Sequence, residues 1–446
     1  MLPNTQGYIM INKSAPKPQS VVSYAERTAW FHESRFGLFI HYGLFSSPGR
    51  GEWLMFNERV HPDKYARLVA DFRPEPEAAK GWVELAVRSG MKYAVLTTRH
   101  HDGFSLFGSE ANGFNSVTHH GRDLVGEFVD ACRAGGLRVG LYYSLLDWRF
   151  PGYFEPGLHP ESAEALRQQV HAELRQLMTD YGRIDLLWYD GGWIDHGRKS
   201  DGDPAAYTRQ VTNYWDSFTL NQMVYDLQPT ILINNRSGID LDLDTPEQEV
   251  KASEAGRAWE ACMTIGDSTG WGWLRDNPNR KTTATLLQNL VQAAAGEGNF
   301  LINIGPDSRG RIDEADRSRL EAMGQWLTDN GEAIYGSQRC DLYDQRMPGA
   351  PLGRWTRQGK TAYLHLFRWP GPKFVVPLID QAPRSARLLG QPITVFLEHD
   401  GNDPIGRLHV NGLPEEPPTP HVNVLVFEFE QAPLNHQEPD HSAWLR

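Results

Sequence analysis

Residues 184–192 read IDLLWYDGG, an apolar run with large side chains that stops at Asp190 and is followed by two glycines. A run this short and this apolar predicts a strand buried on both faces, as in a parallel sheet. A carboxylate at the end of such a strand is costly unless it is paired or used. Gly191 and Gly192 free the backbone to turn sharply just beyond it.

The same pattern recurs on both sides. FGLFIHYG (36–43) carries His41 where its apolar character ends, YAVLTTR (93–99) ends in Arg99 and is followed by His100, His101 and Asp102, VGLYYSLLD (139–147) ends in Asp147, and ILINNR (231–236) ends in Arg236. FLINIGP (300–306) is a sixth such run. Helical patterns separate them. In PEAAKGWVELAVRSG (76–90) Trp82, Leu85 and Ala86 share one face and Gly90 stops the helix; in 162–182 Leu166, Val170, Leu174, Leu177 and Met178 form one stripe before Gly182. Regular strand–helix alternation predicts an α/β protein built on a (β/α)8-like, TIM-type barrel. No GxGxxG follows the first strand, which removes the main sequence support for a dinucleotide-binding fold. In barrels the strand C-terminal ends build the active site, and here those ends hold the ionisable residues.

Beyond residue 338 the pattern changes to short alternating strands, TAYLHLFRW, KFVVPLI, ITVFLEHD and VNVLVFEFE, separated by Gly/Pro turns. This predicts a C-terminal antiparallel β-sandwich. The expected organisation is an N-terminal extension over 1–21, a barrel over 22–338, a sandwich over 339–434 and a tail over 435–446.

The 446 residues carry 44 Lys+Arg against 56 Asp+Glu, a formal charge of −12. With no basic run to meet a phosphate backbone, nucleic acid is not an expected partner. Cys132, Cys262 and Cys340 form no CxxC pair, so neither a disulfide framework nor a structural zinc site is expected. The N-terminus lacks the long apolar core of a secretory signal and no stretch of 18 apolar residues exists, so the expectation is a cytoplasmic chain with no membrane partner. A homo-oligomer is compatible with the composition.

Asp190 is the first candidate for chemistry. If it acts on a glycosidic bond, a second carboxylate must protonate the leaving oxygen. Asp244, Glu247, Glu249 and Glu260 are the candidates, expected in loop, where low local order would suit a group that first donates and then accepts a proton. Sequence alone does not rank them. His100 and His101, each with a donor and an acceptor, suit a polyhydroxylated ligand; no HExxH and no third His at ligand spacing supports a metal. Glu52 with Trp53 joins a polar acceptor to a flat apolar face. The GxSxG match at 266–270 is followed by Trp-Gly-Trp and a polar loop where a serine-hydrolase elbow needs a helix. GPDSRGR (305–311) lacks the Lys-Ser/Thr of a phosphate loop.

Taken together, RFGLFIHYG (35–43), GEW (51–53), KYAVLTTRHHDGF (92–104), GLYYSLLDW (140–148), LLWYDGG (186–192), NNR (234–236), TPE (245–247), WEACMTIG (259–266) and NFLINIGP (299–306) resemble, in order, the glycoside hydrolase family 29 α-L-fucosidases. The resemblance implies a retaining exo-glycosidase on a barrel with a C-terminal sandwich, acting on fucosylated oligosaccharides or glycoconjugates without a cofactor and therefore fully active in a chelator. It implies Asp190 as nucleophile and Glu247, in TPE, as acid/base. It further implies a fucose pocket lined by His41, Glu52, Trp53, His100, His101, Tyr143, Trp188, Arg236 and Trp271. Tyr42, Leu54, Arg99 and STGWGW (268–273) depart from the family's usual residues, and the last leaves the aglycone side open. The competing expectations are a non-catalytic fucose-binding barrel, and a retaining hydrolase or transfucosidase for another deoxy or galacto-configured sugar.

Overall fold

The computed structural model describes residues 16–194, 204–266, 270–277, 279–340, 342, 346–347, 350–400 and 406–433. Eight parallel strands, β1 (Phe36–Ile40), β2 (Tyr93–Arg99), β3 (Arg138–Ser144), β4 (Leu186–Asp190), β5 (Leu232–Ile233), β6 (Leu243–Asp244), β7 (Ala258–Thr264) and β8 (Asn299–Ile304), are ordered β5-β4-β3-β2-β1-β8-β7-β6. A parallel bridge between Asn234 and Leu243 joins the two ends and closes the barrel.

The sequence runs mark six of these strands. β6 is only two residues long, too short to produce a run, and β7 (AWEACMT) carries Glu260 in its middle, which reads as loop. Glu260 is therefore corrected from loop to mid-strand. Among the described residues no helix separates β5 from β6 or β6 from β7, so the regular interval fails there.

The two helices read from periodicity form at Ala78–Arg88 and Pro160–Asp180. Ala79, Trp82, Val83, Leu85 and Ala86 are the buried face of the first. Pro160 opens the second, where its missing N–H costs nothing. Gly90 (φ 81°) and Gly182 (φ 65°) follow these helices with left-handed backbone.

Phe39, Val95, Tyr142, Leu186, Trp188, Leu232, Leu243, Cys262 and Leu301 fill the barrel interior, and Phe31 from the helix Tyr24–Ser34 plugs its lower end. That helix is locked where the barrel is thinnest: Arg27 donates to both oxygens of Asp242 at 2.6 and 2.7 Å, and Asp242 also accepts from Tyr225 Oη and the Ile233 amide, each at 2.9 Å.

After the barrel, β9 (Gln338–Arg339), β10 (Arg346–Met347), β11 (Ala350–Pro351), β12 (Gly353–Gln358), β13 (Thr361–Leu366), β14 (Lys373–Val376), β15 (Ser385–Leu388), β16 (Phe396–His399), β17 (Leu408–Asn411) and β18 (Asn423–Glu428) follow. They form antiparallel sheets β15-β18-β13-β12-β9 and β14-β17-β16, with β10-β11 a separate pair. Alternation sorts the larger sheet: Leu364, Leu425 and Phe427 face the sandwich core, whereas Tyr363, Val424 and Val426 pack against the barrel. The proposed tail, 435–446, lies outside the described residues, as do residues 1–15 of the extension. Among the described residues no helix is long and apolar enough to cross a membrane.

Candidate active site

Asp190 is the last residue of β4. The chain turns away immediately, with Gly191 at φ 63°, and a Cβ on Gly192 would lie 2.2 Å from the Arg236 carbonyl oxygen, so the second glycine permits a close backbone approach. Register then decides which neighbours face inward with Asp190. Ser144 pairs with Asp190 and Tyr142 with Trp188, so Tyr142 and Ser144 share the interior face.

Tyr142 Oη donates to Asp190 Oδ2 at 3.0 Å. Tyr143, one residue on, points out of the barrel, where its hydroxyl donates to Glu173 Oε2 at 2.6 Å and accepts from Arg99. The expectation that Tyr143 lines the pocket is corrected, because consecutive strand residues face opposite sides. The same alternation separates the charged strand ends. His41, His100, His101, Asp190 and Arg236 converge at the barrel mouth. Arg99 bonds Glu173 at 2.8 Å and Asp147 is gripped by Arg149 at 2.6 Å, both outside the barrel, while Asp102 accepts from Tyr65 at 2.7 Å.

Arg236 is the hub. One terminal nitrogen donates to Asp190 Oδ1 at 3.1 Å and the other to Glu247 Oε2 at 2.9 Å. Thr245 accepts from Arg236 through its hydroxyl at 3.0 Å and its carbonyl at 3.2 Å. The guanidinium lies 4.5 Å above the Trp188 ring, which also stacks on Tyr142. Burial pushes the Asp190 carboxyl up, but Arg236 foremost, then His101, the Gly191 amide and Tyr142, outweigh it and hold it below the ordinary aspartate value. Asp190 is thus an ionised carboxylate.

Of the four candidates for a second carboxylate only Glu247 accepts a hydrogen bond from Arg236. Asp244 is taken up by Arg257 and Ser253 at 2.8 and 2.7 Å, and Glu249 is exposed. Glu260 is fully buried under the site, accepting from Tyr93 at 2.6 Å and Trp188 at 2.9 Å, and burial raises it to about 7. The loop carrying Glu247 is ordered, contrary to the expectation of low local order: Cys262 N–H donates to the Pro246 carbonyl at 3.0 Å and Gln248 N–H to the Cys262 carbonyl at 2.9 Å, so Glu247 is stitched to β7 like an extra strand residue.

The histidines have assignable tautomers. Asn303 donates its amide to the Trp271 carbonyl at 2.7 Å, so its Oδ1 accepts from His41 Nδ1, also at 2.7 Å, leaving His41 Nε2 as an acceptor. Burial lowers His41 to about 3, so it is neutral. Ser144 Oγ donates to the Leu146 carbonyl and accepts from His101 Nδ1 at 2.7 Å, which directs His101 Nε2 at Asp190 Oδ2, 3.6 Å away. His100 Nδ1 is buried with no partner among the described residues.

Glu52 takes a positioning place. Its Oε2 accepts from the Trp271 and Gly272 amides at 2.8 and 2.7 Å, fixing the loop that carries Trp271, and burial raises it to about 6. Trp271 lies 5.1 Å from the His41 ring, and Trp53 stands edge-on to His101 at 5.4 Å. Trp188, buried, is the floor. Sequence reasoning missed Tyr142, Ser144 and Asn303; once Asp190 was assigned to the interior, strand register was the signal for the first two.

Ser268 of the GxSxG match lies outside the described residues, and among the described residues the next helix begins at Thr283. Asp307 of GPDSRGR accepts from the Arg309 and Arg311 amides, a local turn. Among the described residues no three His, Cys, Asp or Glu side chains are grouped to hold a metal ion.

Comparison with known proteins agrees with this geometry. The family described as Alpha-L-fucosidase matches residues 6–332. The chain is 32% identical to the tissue alpha-L-fucosidase of Homo sapiens over 376 residues, covering 77% of this chain and 76% of that protein, and 30% identical over 344 residues to the alpha-L-fucosidase of Dictyostelium discoideum, covering 69% and 71%. Among solved structures, alpha-L-fucosidase isoenzyme 1 from Paenibacillus thiaminolyticus superposes with a TM-score of 0.79 at 32% identity, covering 92% of this chain and 100% of that one. With a closed barrel, paired carboxylates at its mouth and matches over most of its length, the chain belongs to the alpha-L-fucosidase family of glycoside hydrolases.

Proposed function

We propose that the protein removes terminal α-L-fucose from fucosylated oligosaccharides or glycoconjugates with retention of configuration. The observation that carries this reading is the shared guanidinium. Asp190 and Glu247 occupy neighbouring nitrogens of Arg236, which favours the short carboxyl separation of about 5–5.5 Å that covalent catalysis needs over the wider gap that admits a water between them.

In the first step an Asp190 oxygen attacks C1, the bond from C1 to the aglycone oxygen breaks, and that oxygen takes the Glu247 proton. In the second, Glu247 takes a proton from water as the water oxygen attacks C1, and the Asp190 ester bond breaks to release α-L-fucose. The protein's own groups suit each part. Asp190 is held ionised by Arg236 and Tyr142. His41 presents an acceptor nitrogen to a sugar hydroxyl, and the buried Trp188 and Phe39 rings, 5.0 Å apart, close the floor of the barrel mouth.

The test is a nuclear magnetic resonance time course on an aryl α-L-fucoside. The α anomer should appear first; β-fucose as first product overturns the mechanism, and binding of fucose without turnover overturns the enzyme reading.

A further inference from the structure

Gln248, immediately after Glu247, has left-handed backbone with φ 58°. A glutamine rarely adopts this conformation, whose steric cost falls on every residue with a Cβ and is relieved only partly in Asn or Asp. Such a residue persists when surrounding bonds over-determine it. Here they are visible. The Gln248 amide nitrogen donates to Thr264 Oγ1 at 3.1 Å, the Thr264 N–H donates back to Gln248 Oε1 at 3.3 Å, and the Gln248 backbone N–H donates to Cys262 at 2.9 Å. Thr264 ends β7, and its hydroxyl donates to the Gly266 carbonyl at 2.8 Å. The side chain therefore folds back over the barrel rim and clamps the residue after Glu247 to the strand beneath it.

We propose that Gln248 is a positioning residue for the acid/base step: its two-point clamp on Thr264 fixes the backbone turn that aims the Glu247 carboxyl at the leaving oxygen. This rests on the reading of Glu247 as acid/base. Gln248 touches no reacting atom, and its effect runs through Glu247. A misaimed acid matters in proportion to how much the leaving group needs a proton, whereas a general loss of structure penalises all substrates alike.

The experiment compares kcat/KM for a dinitrophenyl α-L-fucoside, whose departure needs no proton, with that for a methyl or disaccharide fucoside, in Gln248→Ala, Gln248→Gly, Thr264→Val and Glu247→Ala, with thermal melting of each. Gln248→Gly relieves the left-handed strain but removes the clamp. The expected result is a loss of about 10- to 100-fold on the unactivated fucoside, near-unchanged kcat/KM on the dinitrophenyl fucoside, and partial recovery of its kcat by azide, which needs no base. Gln248→Gly should behave like Gln248→Ala. Equal losses on both substrates, or a Gln248→Gly enzyme with wild-type selectivity, overturn the inference. If Glu247→Ala itself shows no leaving-group dependence, the acid/base reading fails first and is separately identified.

Discussion

Arg236 Nη2 donates to Glu247 Oε2 at 2.9 Å while its companion nitrogen holds Asp190. One planar cation thus sets the positions of both carboxylates, a task for which the five-donor fork of arginine is suited and the single point charge of lysine is not. Arg236→Lys should retain the fold and charge yet lose on the order of 10²–10³ in kcat, comparable with removal of a preorganised transition-state donor. A kcat within a few-fold of wild type, with unchanged melting, would show that only the charge is used.

The pH dependence of kcat/KM follows from Asp190. Its folded value lies below that of a free aspartate because Arg236 and its other partners outweigh the burial that pushes it up. An Asp with a depressed folded value stabilises the fold above its unfolded pKa and loses that contribution as pH falls through the folded value. Because only the ionised Asp190 can attack C1, the acid limb should lie below the ordinary aspartate range, and Arg236→Gln should move it upward, since removing the cation leaves burial unopposed. A limb that stays in place in Arg236→Gln would refute the assignment of that limb to Asp190. Asp190→Ala should be inactive, with azide restoring turnover and yielding the inverted β-fucosyl azide.

Glu260 carries the opposite linkage. Burial raises it to about 7, with Tyr93, Trp188 and Arg236 pulling the other way. A carboxyl raised on folding binds protons more tightly in the native state, so it favours the fold fully below its unfolded value and progressively less as pH rises from about 4.5 to 7, with a total of about 3 kcal/mol. Glu260→Gln should flatten the decline in unfolding free energy over that interval. Parallel wild-type and variant curves in denaturant titrations at pH 4.5 and 8 would contradict the linkage.

Barrel closure is a separate prediction. Between the two-residue strands β5 and β6 the Arg27–Asp242 pair is almost fully buried, with side chains 7% and 4% exposed. Removing one partner leaves an uncompensated buried charge, at a cost of about 3–5 kcal/mol. Arg27→Ala should lower the denaturant midpoint accordingly while leaving KM unchanged, because the pair sits at the opposite end of the barrel from Asp190. A change in KM without loss of stability would be the contrary result.

Much of the site was legible in sequence because two features coincide in a barrel: buried strands give uninterrupted apolar runs, and their C-terminal ends meet at one mouth. His41, His100, His101, Asp190 and Arg236 were found at such ends. The resemblance implies Tyr143, whereas Tyr142 is the one that faces Asp190, since two adjacent tyrosines look alike until register assigns each a face. Arg99, Asp102 and Asp147 sit at strand ends as well, but their ion pairs and hydrogen bonds are made outside the barrel.

The chain's sequence alone determined the barrel, the sandwich after it and the place of Asp190 at a buried strand end, because hydrophobic periodicity and the cost of an idle buried carboxylate are local properties; the reading of Asp190 as nucleophile comes from motif resemblance. The choice of Glu247 over Asp244, Glu249 and Glu260 had rested on motif resemblance. Only the tertiary structure sets Glu247 and Asp190 on one guanidinium, that of Arg236, and clamps Gln248 on Thr264. These depend on which strand ends become neighbours when β5 and β6 close the ring, and that adjacency is created by pairing between residues distant in the chain.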